Sequence, residues 1–222
     1  MSPFNIRKAA IDDIPFLVDS IIEAEKGGTE ILSYSTVFGL SLNESKKYIK
    51  DMLLEEVDGC ELSISSYLVA EKDGQLVGAV GAWIEGNEGM PSSVLKGNLL
   101  NFTLPKICIE KALSLNNLVK DIHIENINNT IQVGIVYVSQ SYRGLGLANI
   151  LIEEQIKNLL QISPEIAQCY LQVFGDNKTA IKTYEKLHFK KITERRSENN
   201  LIVKYFPSAS KVLMKRHLNI NQ

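Results

Sequence analysis

IQVGIVYVSQSYRGLGLANILIEEQIKNLL, residues 131–160, decides how the rest of this chain is read. An apolar run ends at Val138, a turn carrying Arg143, Gly144 and Gly146 follows, and an amphipathic run begins at once. The spacing predicts a strand, a turn and a helix. The first turn of a helix holds backbone N–H groups without intrahelical partners and a partial positive charge from aligned peptide dipoles, so an anion fits there. Gly144 and Gly146 remove the Cβ atoms that would hold a ligand off the main chain, and Arg143 offers a forked guanidinium to phosphate oxygens. The dipole is worth only about 0.3 to 1 kcal/mol, so binding needs several N–H contacts together. Beyond the turn, Ala148, Ile152, Ile156 and Leu159 recur on one side, with Glu153, Glu154, Lys157 and Asn158 opposite, and the apolar side must face a sheet. The glycines are too few for a GxGxxG dinucleotide fingerprint, and RGLGLA lacks the Gly-Lys-Ser/Thr ending of a P-loop.

The turn resembles that of the GNAT (GCN5-related) N-acetyltransferases. Their acetyl-CoA motif runs Arg or Gln, two residues, Gly, one residue, then Gly or Ala, and Arg143, Gly146 and Ala148 fill those places. A second resemblance lies at DNKTAIKTYEKLHF, residues 176–189, where the family reads Asn, two residues, Ala, three residues, Tyr, then Glu-Lys-Leu-Gly-Phe. Here stand Asn177, Ala180, Tyr184, Glu185, Lys186, Leu187 and Phe189, with His188 replacing the glycine. Asn177, Ala180, Tyr184 and Leu187 share one helix face by spacing.

The resemblance implies an α/β (α+β) GNAT-like fold in a single domain over 1–222. Its mixed, mostly antiparallel sheet would have about seven strands flanked by helices. It implies acetyl-CoA as cosubstrate, no metal, and transfer of acetyl to a primary amine of a small molecule or protein by direct attack in a ternary complex. Arg143, Gly144, Leu145, Gly146, Leu147 and Ala148 would hold the pyrophosphate, and the backbone of Val136, Tyr137 and Val138 would pair with the pantetheine arm as an added strand does. Tyr184 would protonate the leaving thiolate, since a phenol of pKa about 10 stays protonated where a thiol of pKa about 8.5 leaves. Asn177 would hold a cofactor amide or cap its helix. An alkyl amine is only about 0.04 % neutral at pH 7, so its proton needs a route. Some family members use a glutamate on or beside the fourth strand. Residues 131–138 carry no acid, which leaves Glu85, Glu125 and His123 in flanking segments. If none of them acts, a non-catalytic CoA-binding regulatory module with a protein partner is the competing reading. His188 stands at a helix end where glycine takes positive φ.

A chain of 222 residues with 45 % apolar and 23 % charged content is that of an ordinary globular protein. Its net charge of −2, with no basic tract, argues against nucleic acid as a partner. Cys60, Cys108 and Cys169 are far apart and form no CxxC, so neither a zinc site nor a disulfide framework is expected. The first residues lack the apolar centre of a signal peptide, and the longest apolar run, Val77 to Ile84, is too short for a membrane span. A soluble cytoplasmic protein is expected.

Outward from the central stretch, strands are expected at Phe4–Ala9, Ser65–Ala70, Gln75–Glu85, Ala167–Gly175 and Phe189–Arg195, and helices at Ala10–Glu25 and Asn43–Glu56, while Val212–Leu218 resembles the closing strand of the family. In the family that the chain resembles, the segment between these helices helps line the acceptor site, which makes Glu23, Glu30, Tyr34 and Ser35 candidates for acceptor contacts. Trp83 reads as core, and Leu201–Phe206 as an extra strand or a partner of its predecessor. Residues 86–130 form a long insertion before the fourth strand, with one helix from Leu104 to Lys120 opened by Pro105. That segment can cap the acceptor site, build a homodimer contact, or cover the sheet.

Overall fold

A computed structural model describes residues 4–218. Its strands are β1 (Asn5–Lys8), β2 (Tyr67–Lys72), β3 (Gln75–Ile84), β4 (Ile131–Val138), β5 (Gln168–Phe174), β6 (Lys190–Arg196) and β7 (Ser210–His217). They form one sheet in the order β1-β2-β3-β4-β5-β7-β6, antiparallel except for β4 against β5. The helices are α1 (Ile14–Glu25), α2 (Ser33–Phe38), α3 (Leu42–Leu54), α4 (Ser92–Thr103), α5 (Lys106–Ser114), α6 (Asn116–Ile122), α7 (Leu147–Ile162) and α8 (Lys178–Lys186).

Alternation along the strands builds two cores. Leu68, Val80, Ile131, Leu171 and Met214 point to one face, where α7 supplies Leu151, Ile152 and Ile156. Val69 and Ala79 point to the other, where α1 supplies Leu17 and Ile21, α3 Ile49 and α4 Leu99. Each fully buried aliphatic side chain of this kind contributes about 1.5 to 3 kcal/mol. The β2–β3 hairpin closes on Asp73 and Gly74, whose successive positive φ values of 51° and 77° match the twist of the flanking strands. Helix α3 opens on a reciprocal cap, in which Glu44 N–H donates to Ser41 Oγ and Ser41 N–H to Glu44 Oε2.

The buried side of α7 is Leu147, Leu151, Ile152, Gln155 and Ile156. Ile152 and Ile156 lie where the sequence puts them and Leu159 packs half-buried against the same core, but Leu147 and Leu151, not Ala148, complete the buried stripe. Gly78 faces this stripe, where a Cβ would stand 3.0 Å from Leu151 and 3.2 Å from Leu147, so its missing side chain lets α7 lie close on β3. The expected helix over Leu104–Lys120 is instead two, α5 and α6, broken at Leu115 with φ −96° and ψ 4°. Before them α4 is a helix that periodicity does not reveal, because Gly97, Asn98 and Asn101 interrupt its apolar positions. Leu201–Phe206 forms no strand. Asn199 Oδ1 accepts from Leu201 N–H and starts a 3-10 turn over Asn200–Lys204, which buries Ile202 against Leu118 and Ile122 of α6.

Candidate active site

The site begins with one extra residue in β4. Gly81 lies opposite Ile135 and Ala82 opposite Val133, so Gly134 has no partner on β3. Only glycine fits, because a Cβ at Gly134 would stand 2.7 Å from the Trp83 ring. The bulge reverses the alternation of the strand. Ile131 and Val133 face α7, Ile135 turns to the α1 side, and Val136 and Val138 face α7 again. Tyr137 meets Phe16 of α1 edge to face, with ring centres 5.9 Å apart.

Beyond the bulge the sheet opens. β4 pairs with β5 only at Ile131, Val133 and the residue between them, so from Gly134 to Val138 the β4 edge that faces β5 has no strand beside it. An extended ligand with amide groups can add to such an edge.

The turn after β4 presents a row of donors. Among the described residues, the N–H groups from Gly144 to Asn149 make no hydrogen bond, and the ladder starts at Ile150 N–H, which donates to Gly146 O at 3.2 Å. Gly144 and Gly146 take φ of 79° and 78°, and among the described residues none beyond the immediate chain neighbours has an atom within 4 Å of a Cβ built on either. Positive φ turns their N–H groups outward, and the missing side chains leave the approach clear. Arg143 Nε donates to Val138 O at 3.0 Å, which ties the turn to the strand end and leaves the two terminal amino groups of the guanidinium free for an anion.

On the other side of the opening stands α8. Asn177 Oδ1 accepts from Ala180 N–H at 3.1 Å, so Asn177 caps the helix while its amide N–H₂ remains uncommitted. Tyr184 packs beneath this helix against Phe189, ring centres 6.3 Å apart, and no described residue bonds its hydroxyl. Burial pushes the phenol up to about 12. At the helix end His188 takes φ of 65°, so a histidine adopts the backbone conformation that glycine would take more cheaply.

Val136, Tyr137, Val138, Arg143, Gly144, Gly146, Leu147, Ala148, Asn177 and Tyr184 all line one continuous cleft of about 1260 Å³, whereas the exposed Leu145 side chain is not part of its lining. That exceeds the roughly 300 to 1,000 Å³ of a pocket for one small ligand, so two can be held side by side.

The far end of the cleft is charged. Glu61 and Lys96 form an ion pair at 2.5 Å, and Lys96 lies over the Tyr34 ring at 5.4 Å. Burial alone would raise the Glu61 carboxyl, but the Lys96 ammonium prevails and holds it below the ordinary range. Glu25 and Lys211 line the same end. Sequence reasoning misses all four residues, because they come from separate elements and no spacing links them. Of the acceptor-side candidates, Glu23 and Glu30 line the cleft, Tyr34 is buried behind it, and Ser35 bonds Ser45 at 3.0 Å. Trp83 is buried but also lines the cleft, its Nε1 donating to Glu85.

Glu85, Glu125 and His123 all reach the cleft wall. Glu85 is committed: it accepts from Trp83 Nε1, Ser92 N–H, Ser92 Oγ and Asn126 Nδ2 at 2.7 to 3.1 Å. His123 is pushed below the ordinary imidazole range, mainly by partial burial and further by Lys211, so it is neutral at pH 7. Cys60, Cys108 and Cys169 are buried thiols, and none lies on the cleft wall. Among the described residues no three His, Cys, Asp or Glu side chains gather to hold a metal ion, and no helix is long and apolar enough to cross a membrane.

Comparisons with known proteins agree with this geometry. The sequence model of the acetyltransferase (GNAT) family matches residues 40–189. An N-acetyltransferase from Staphylococcus aureus Mu50 has the same fold, with a TM-score of 0.66 over 96 % of this chain and 100 % of its own at 14 % identity. The polyamine N acetyltransferase of Drosophila melanogaster gives 0.58 over 97 % and 100 % at 13 % identity, and Ard1 from Thermoplasma volcanium 0.55 over 98 % and 99 % at 13 % identity. No curated protein matches the chain by sequence. With a family match over more than half its length on a sheet of the same architecture, this chain belongs to the acetyltransferase (GNAT) family.

Proposed function

We propose that the protein transfers the acetyl group of acetyl-CoA to a primary amine by direct attack in a ternary complex, and that residues 1–222 act as one domain. The observation that carries this reading is the unpaired β4 edge, from Gly134 to Val138, lying beside six free N–H groups at the start of α7. A long ligand with two amides and a pyrophosphate needs both at once.

Acetyl-CoA supplies the acyl thioester, and the chain supplies the rest. Gly144 to Ala148, with the terminal amino groups of Arg143, bind the pyrophosphate. The backbone of Val136, Tyr137 and Val138 pairs with the pantetheine amides, and the Asn177 amide stands ready for a further hydrogen bond. Tyr184 keeps its proton at neutral pH, because its pKa of about 12 lies well above 7, and so has one to share with the sulfur as it departs. With Glu85 held by four donors, Glu125 and neutral His123 are left as acceptors for the amine proton, directly or through water. The cysteines lie off the cleft, which favours direct attack over an acyl-enzyme.

Calorimetry with CoA tests the hold: wild type should bind, and Gly146→Val should bind at least about tenfold more weakly, because a β-branched side chain at φ 78° both strains the turn and covers the donors. No heat with CoA, or an unchanged Gly146→Val, overturns the reading. Exposed Phe102, Ile107 and Leu113 on α4 and α5 favour one second reading, a CoA-binding module docked on a protein. CoA binding without consumption of acetyl-CoA on any amine would select it.

A further inference from the structure

The charges at the far end of the cleft are unevenly matched. Lys96 is satisfied by Glu61 and by the Tyr34 ring. Lys211 is not. It extends from β7 over the Phe174 ring, Nζ 5.4 Å from the ring centre, and among the described residues no carboxylate or hydrogen-bond acceptor meets its ammonium. Burial pushes the Lys211 amine below its ordinary range, and the nearby charge of Glu25 offsets this most. Glu25 ends α1, and its carboxylate accepts from Ser33 Oγ at 2.9 Å without forming an ion pair with any described cation. An ammonium and a carboxylate therefore face one space, near enough to feel each other but not in contact. Both side chains are half-buried on the cleft wall, and a ligand carrying both signs would pair with the two together.

We propose that the acceptor is a free amino carboxylate, an amino acid, whose carboxylate pairs with Lys211 while its amine lies on the Glu25 side. This names the substrate class of the acetyltransferase reading and rests on it. A polyamine has no anion for Lys211 and would bring positive charge against it.

The test uses acceptors that differ only by the carboxylate: arginine against agmatine and lysine against cadaverine, with acetyl-CoA consumption followed in wild type, Lys211→Met and Lys211→Arg. Wild type should favour the amino acid of each pair by about 30-fold in kcat/KM, the loss expected when one partner of a desolvated charge pair is absent. Lys211→Met, which keeps the apolar stem over Phe174, should erase that preference through KM for the amino acid, with the KM for acetyl-CoA unchanged. Lys211→Arg should restore most of it. Equal or better turnover of the decarboxylated amines, or an equal loss on both members of a pair in Lys211→Met, overturns the proposal. Should no acceptor turn over, calorimetry of arginine and lysine on the CoA-loaded protein decides, and heat that is absent or indifferent to Lys211→Met overturns it. CoA alone is titrated in parallel. A protein that fails to bind CoA loses the acetyltransferase reading itself, whereas one that binds CoA but ignores the carboxylate loses only this assignment.

Discussion

Tyr184 shows how much a single side chain draws from its surroundings. Its ring packs against Phe189 under α8, and the desolvation that raises its pKa to about 12 makes it a reservoir of one proton over the working pH range. Tyr184→Phe keeps the packing and removes the proton, so kcat should fall by about 10²-fold with little change in CoA affinity. Calorimetry and steady-state rates on the same preparation separate the two effects. The raised pKa also has a thermodynamic sign. The folded protein holds the phenolic proton more tightly than the unfolded chain, so this contribution to stability is complete below pH 10 and is lost as pH rises toward 12. Tyr184 and the turn residues are legible in the sequence, because local spacing on one helix or one turn brings them together. Glu25, Glu61, Lys96 and Lys211 are not, because only the closed sheet brings α1, the loop before β2, α4 and β7 to one cleft end.

At the scale of the element, β4 is decided by its one unpaired glycine. The bulge turns Ile135 and Tyr137 toward α1 and aims the following backbone at the opening. Gly134→Ala would put a methyl group into the Trp83 ring. Thermal or urea denaturation should show a loss of about 1 to 3 kcal/mol, the usual cost of overpacking, together with weaker CoA binding as the strand shifts. Six strands and the helices α1, α3, α7 and α8 follow from periodicity and turn chemistry, and β7 from the family resemblance. The misplaced elements have physical reasons. α4 carries glycine and asparagine where a regular apolar stripe would stand, the run from Leu104 breaks at Leu115, and residues 201–206 turn inward because Ile202 finds a partner in α6. The sequence of β4 holds its glycine in plain view, but pairing with β3 is what makes it a bulge.

Across the whole molecule, acid should act at two places far apart. Asp13 accepts both terminal amino groups of Arg7, at 2.6 and 3.0 Å, and the Ala10 N–H at 2.8 Å. Those bonds, the Arg7 one foremost, hold its carboxyl below the ordinary range. Glu194, at the opposite edge of the sheet, is lowered to about 2, first by Lys191 and then by Ser210. Both carboxylates are bound more firmly in the folded state, so their stabilisation is present at neutral pH and fades as pH falls through 4.5 toward 2. Melting temperatures across that range should drop in wild type, and Asp13→Asn should cost about 2 kcal/mol at pH 7 while flattening the acid side of the profile.

The parting of β4 from β5 has a mechanical meaning as well. Two blocks of the sheet, four strands and three, meet along a seam fastened by only three residue pairs, so whatever lies in the gap serves as a rivet between them. Deuterium uptake by the amides of residues 134–138 should slow when CoA is added, and the transition on heating should sharpen and move upward. At a hundredfold excess over Kd the added resistance to unfolding would be about 2.7 kcal/mol.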